Sequence, residues 1–129
     1  MSRNVLYAVA ASLLAIVAGA AHAQTWPTKP ITLVVTYPAG GGADTMARLI
    51  APKLGEALGQ PVIIENKPGA SGQIGASAVA KAAPDGYTLL LMSNTHTVNE
   101  SLIPNKPFQL LRDFVPIAPI SYSDLVLVQ

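Results

Sequence analysis

Ile31-Thr32-Leu33-Val34-Val35-Thr36, followed at once by Tyr37-Pro38-Ala39-Gly40-Gly41-Gly42, is the stretch whose reading decides the fold. The first half is rich in β-branched residues and nearly continuous in apolar character. That pattern suits a parallel strand covered on both faces. The second half stops the strand with a proline and three glycines. Asp44 or Thr45 is then placed to cap a helix. Met46, Leu49, Ile50, Leu54, Ala57 and Leu58 follow at helical spacing and predict one apolar stripe. Gly59 stands where a C-terminal cap is expected. Pro52 falls inside this helix and is expected to kink it, because proline removes an i→i−4 bond. Upstream, Trp26-Pro27-Thr28-Lys29-Pro30 reads as an extended lead-in, since two prolines block a helix.

Downstream the pattern repeats. Pro61-Val62-Ile63-Ile64-Glu65 predicts a second strand, and Asn66-Lys67-Pro68-Gly69-Ala70-Ser71-Gly72 a second glycine-bearing turn. Gln73 to Ala83 predicts a second helix, with Ile74, Ala78, Val79 and Ala82 facing inward. Pro84-Asp85-Gly86 is a turn, and Tyr87-Thr88-Leu89-Leu90-Leu91-Met92 a third strand. Ser93 to Glu100 is polar and reads as a loop. Residues 101–116 form a proline-broken connection, and Val115 to Tyr122 and Leu125 to Gln129 read as further strands. The order β-α-β-α-β predicts an α/β fold with a doubly wound parallel sheet and right-handed crossovers.

Ahead of all this lies a different kind of sequence. Val5 to Ala21 carries no charge, follows Arg3, and ends in Ala21-His22-Ala23. This is a secretory signal peptide, residues 1–23, with cleavage expected after Ala23. Its apolar run of about 17 residues is at the lower limit for crossing a hydrocarbon core of roughly 30 Å. Residues 24–129 are then expected outside the cytoplasm.

Composition narrows the function. Eight Lys and Arg face seven Asp and Glu, for a net charge of +1. That excludes nucleic-acid binding through a basic surface. With no cysteine, thiol catalysis and Cys-based metal sites are excluded as well. His22 and His96 are too far apart for a histidine cluster, so no metal is expected. No cofactor is expected either.

The loops carry what function there is. In a doubly wound sheet, ligands bind beyond the carboxyl ends of the strands. Three segments fall there: Tyr37–Asp44, Asn66–Gln73 and Ser93–Asn99. Glycine lets a backbone come close to a ligand, and a helix start offers unpaired N–H groups and about half a positive charge. Two such starts facing one crevice make an anion site with no cationic side chain. Indeed, neither Tyr37–Asp44 nor Pro68–Gln73 contains Lys or Arg. Lys67 reads as a solvated strand-end lysine, Asp44 as a helix cap ahead of a catalytic acid, and His96 as a hydrogen-bonding loop residue ahead of a base. Ser71 lacks the G-x-S-x-G elbow and is a cap or ligand donor.

The P-loop pattern G-x-x-x-x-G-K-[ST] is absent. The dinucleotide fingerprint is half present, with Gly40 and Gly42 followed by Thr45 where a third glycine belongs, and Glu65 roughly where a ribose-binding acid would sit. A nucleotide-binding Rossmann-like oxidoreductase fragment is therefore the alternative function.

Taken together, Trp26-Pro27-x-Lys29-Pro30, Tyr37-Pro38-Ala39-Gly40-Gly41-x-x-Asp44-x-x-Ala47-Arg48, Glu65-Asn66-Lys67-Pro68-Gly69-Ala70-x-Gly72-x-x-Gly75 and Pro84-Asp85-Gly86-Tyr87-Thr88-Leu89 resemble the substrate-binding receptors of tripartite tricarboxylate transporters, the Bug-type periplasmic receptors. The resemblance covers residues 26–129. It implies a periplasmic-binding-protein-like fold that closes on a small carboxylate and delivers it to membrane permease subunits, without catalysis. It implies ligand contact at Tyr37, Pro38, Ala39, Gly40, Gly41, Gly42 and Asp44, at Gly69, Ala70, Ser71, Gly72 and Gln73, and at Asn94, Thr95 and His96. Members of that family carry a second domain, mostly missing here. Residues 24–129 are thus expected to be the N-terminal part of a longer receptor, monomeric when complete. A non-functional truncated receptor is the remaining alternative.

Overall fold

The computed structural model describes residues 26–122; the leader and the Leu125–Gln129 segment lie outside the described residues. Three strands, β1 (Ile31–Val35), β2 (Val62–Asn66) and β3 (Thr88–Leu91), form one parallel sheet in the order β2-β1-β3. Helix α1 (Gly42–Leu58) joins β1 to β2. A 3-10 turn (Ala70–Gly72) and α2 (Gln73–Ala80) join β2 to β3. Helices α3 (Asn94–Leu102) and α4 (Leu110–Asp113) follow.

β1 is the central strand, and Ile31, Leu33, Val34 and Val35 are all buried. At about 1.5–3 kcal/mol for each fully buried aliphatic side chain, these residues anchor the sheet. Leu33 and Val35 pack on one face with Leu91 and Ala47 of α1. On the other face Leu90 meets Ala76 of α2, Phe108 and Leu110. Helices thus cover opposite faces, as a doubly wound sheet requires. β2 alternates between half-buried and exposed residues, as a strand with one open edge does.

The helix faces differ from the sequence expectation. Asp44, Ala47 and Ala51 are the buried residues of α1, while Leu49 is 64% exposed. In α2 the buried residues are Gly75 and Ala76, and Ile74 is exposed. Small residues let each helix approach the sheet closely. A Cβ on Gly75 would lie 2.8 Å from the Lys67 carbonyl oxygen and 2.9 Å from Thr36 Cγ2. Ranking positions by hydrophobicity alone misses such a face. Gly59 does end α1, with φ 72° and ψ 11°.

Two further expectations are corrected. Ser93–Asn99 is not a loop but the capped start of α3. Val115–Tyr122 forms no strand. Pro116 and Pro119 lack the N–H that a ladder needs, and Val115, Ile117 and Tyr122 are exposed.

Candidate functional site

The register aligns Val35 of β1 with Asn66 of β2 and with Leu91 of β3. All three strands therefore end level, and the segments that follow them leave from one edge. The strand order reverses its direction of growth between β1 and β3, the position at which such sheets bind ligands.

After β1 the chain turns at Pro38, whose carbonyl accepts the Gly41 N–H at 3.3 Å. Gly40 takes φ +82°, a left-handed conformation that favours glycine. Helix α1 begins behind Gly41 without a side-chain cap. Asp44 instead reaches back from the first turn. One carboxylate oxygen accepts from the Gly40 N–H at 2.8 Å and from Arg48 Nε at 2.8 Å. The other accepts from Asn66 Nδ2 at 2.9 Å, which also donates to the Tyr37 carbonyl at 3.1 Å. The Arg48 guanidinium, then the Gly40 N–H and the Asn66 amide, hold the Asp44 carboxyl far below the usual carboxylate range, against the opposing effect of burial. Asp44 is 1% exposed, so its charge is spent on tying the loop to the end of β2.

After β2, Gly69, Ala70, Ser71 and Gly72 all have positive φ, at 117°, 47°, 54° and 86°. For Ala70 and Ser71 this conformation costs roughly 1–2 kcal/mol each. Such strain persists where surrounding contacts fix it, and it clusters at ligand sites. Here the Ser71 carbonyl accepts from Asn99 Nδ2 of α3 at 3.0 Å. Gly69, Ala70 and Ser71 are exposed at the edge, while Gly72 is buried.

After β3, Ser93 caps α3. Its Oγ accepts from the Thr95 N–H, and its own N–H donates to His96 Nδ1, both at 3.3 Å. Tyr37 bridges to this cap: its hydroxyl lies 2.5 Å from Ser93 Oγ and donates to Thr95 Oγ1 at 3.1 Å. His96 is 3% exposed and meets the Tyr37 ring edge-on at 6.4 Å. Burial pushes its pKa down, only partly offset by the backbone of Ser93 and Gly72.

Most of the residues expected at the site thus lie along one edge. Tyr37–Gly42, Gly69–Ser71, Gln73, Asn94 and Thr95 line it, while Asp44, Gly72 and His96 are buried behind it. Sequence reasoning missed Thr36, and it placed Asn66 and Ser93 in the crevice loops without the clip and cap contacts they make. Ser93-x-x-His96 is a capping box with histidine in place of Glu or Gln, so the usual signature does not find it. Glu65, offered as a ribose-binding acid, pairs with Lys67 at 3.1 Å. Among the described residues no His, Asp or Glu grouping could hold a metal, and no helix is long and apolar enough to cross a membrane.

The edge and the doubly wound sheet define the α/β fold of the periplasmic binding proteins. The periplasmic binding protein BugD superposes with a TM-score of 0.51 at 48% identity, over 52% of this chain and 22% of that one. MatC of Rhodopseudomonas palustris with bound malate superposes with a TM-score of 0.67 at 42% identity, over 70% of this chain and 31% of that one. A family model described as tripartite tricarboxylate transporter family receptor matches residues 46–129, and the chain belongs to this family. Protein BugT of Bordetella pertussis is 46% identical over 114 residues, which cover 87% of this chain and 35% of BugT. The chain therefore spans about a third of the length of such relatives. Family membership sets aside the nucleotide-enzyme alternative.

Proposed function

We propose that residues 24–129 form part of the first lobe of a periplasmic receptor that captures a small carboxylate and delivers it to the permease subunits of a tripartite tricarboxylate transporter. One observation carries this reading: three helix starts meet one crevice edge whose segments Tyr37–Gly42, Pro68–Gln73 and Ser93–Asn99 hold no Lys or Arg. Backbone N–H groups and helix dipoles are then the electropositive elements of these segments, and a carboxylate is the ligand that suits them. The malate bound to MatC supports the same class of ligand.

Contact falls to the backbone of Tyr37–Gly42 and Gly69–Gln73 and to the side chains of Asn94 and Thr95. Asp44 and His96 act behind them. A second lobe closes over the ligand and sets its selectivity among dicarboxylates, tricarboxylates, amino acids and aromatic acids. The leader, cleaved after Ala23, exports the protein. Calorimetric titration of the full-length receptor with malate, adipate, citrate and an amino-acid panel tests this. Saturable heat with at least one of these anions is expected, and its absence with all of them overturns the reading.

A further inference from the structure

Two buried side-chain atoms find no hydrogen-bond partner among the described residues: Thr36 Oγ1 and His96 Nε2. Both flank Gly72. A Cβ there would lie 2.6 Å from His96 Nε2 and 3.3 Å from Thr36 Oγ1. The imidazole is thus wedged between the end of β1, the left-handed turn after β2 and the start of α3. Its protonation state matters for a geometric reason. Nδ1 accepts the Ser93 N–H, so it carries no proton, and in the neutral ring the proton is on Nε2.

We propose that His96, as the neutral Nε2–H tautomer, is a positioning residue that locks the start of α3 against the Gly69–Gly72 turn, and that proton uptake at Nδ1 releases the lock. A proton from solvent adds to Nδ1 and fills the lone pair that accepted the Ser93 N–H. Two donors then face each other across the cap, and a cation sits where burial disfavours it. The surroundings compensate only in part, through the Ser93 and Gly72 backbone, which favours the charged ring less than burial disfavours it. β1 presents Thr36 and the edge of Tyr37, and the turn presents only the Gly72 backbone. On α3 itself, the Glu100 carboxylate is occupied by Lys106 and the Leu110 N–H. No charged side chain among the described residues bears on the His96 titration.

The sign follows. The folded-state pKa lies below the unfolded value of 6.5. The lock is therefore complete above pH 6.5 and weakens as pH falls through the window between the two values. Because Ser93 and Thr95 also hold Tyr37, release loosens the β1 loop as well. Its effect on a ligand rests on the receptor reading above; the lock itself does not.

The test begins without ligand, on the full-length receptor labelled with nitrogen-15 and followed from pH 8 to 5, with His96→Gln for assignment. The Nε2–H tautomer at pH 8, and Ser93 and Gly72 amide shifts moving with the ring's midpoint, are expected. An Nδ1–H tautomer, or amides that stay still while the ring titrates, overturns the proposal. The second arm compares malate affinity of the wild type and His96→Gln, whose amide oxygen can replace the Nδ1 acceptor without titrating. Relative to the variant, which subtracts malate's own ionisation, wild-type affinity is expected to fall about tenfold from pH 7.5 to 5.5. Superimposable profiles, or wild-type affinity that rises on acidification, overturn the proposal. Malate that fails to bind at any pH tells against that ligand alone, and the ligand-free spectra still decide the lock.

Discussion

The β1–α1 loop and the β3–α3 junction solve one problem with different chemistry. Each must hold a helix start at the crevice edge. The first uses a buried carboxylate, with both oxygens occupied by Gly40, Arg48 and Asn66. The second uses a serine and a neutral imidazole, and leaves one ring nitrogen unpartnered. Asp44 is held so far below its ordinary value of 3.8 that its contribution persists above pH 4 and is lost only in strong acid. His96 titrates on the other side of that window, below 6.5. Mild acid should therefore disturb the α3 side of the crevice and leave the α1 side intact.

The most damaging change strikes the wedge between the two. Gly72→Ala imposes a side chain at φ +86° and drives it into the His96 ring. A loss of about 3 kcal/mol is expected, read as a lower urea midpoint in the leaderless protein. An unchanged midpoint would mean that the turn is not clamped against α3. Next comes Asn66→Ala, which strips one donor from both the Tyr37 carbonyl and the Asp44 carboxylate. About 2 kcal/mol should be lost, with hydrogen exchange speeding up at Gly40 and Gly41 while the α3 amides stay protected. Equal loosening on both sides would erase the distinction between the two junctions. Ser93→Ala, which removes the cap oxygen of α3, should cost about 1 kcal/mol and loosen α3 and Tyr37 together. Lys67→Ala sets the baseline, since the pair with Glu65 is solvent-exposed on both sides. Thermal melts should place it within about 0.5 kcal/mol of wild type.

The legible and illegible parts of the fold divide along physical lines. β1, both glycine turns and the Gly59 cap were readable because each is a local property: a β-branched run, or a conformation glycine tolerates. The inward faces of α1 and α2 were not, because close approach to the sheet selects alanine and glycine over the larger Leu49 and Ile74. Asn66 was invisible as a clip since its partners, Tyr37 and Asp44, lie far along the chain. Val115–Tyr122 misled in the opposite direction: its apolar residues suggested a strand, but pairing also needs donors and a neighbour.

The sequence by itself determined the alternation of strands and helices, the absence of cations from the two glycine turns and the motifs of the receptor family. These depend on composition and short-range spacing, which a chain carries with it before folding. Only the tertiary structure decided that Asp44 is enclosed by Gly40, Arg48 and Asn66, and that His96 accepts from Ser93 while pressing on Gly72. The reason is that burial and hydrogen-bond partnership belong to packing between distant segments. The same carboxylate or imidazole would be an ordinary solvated group if that packing were absent.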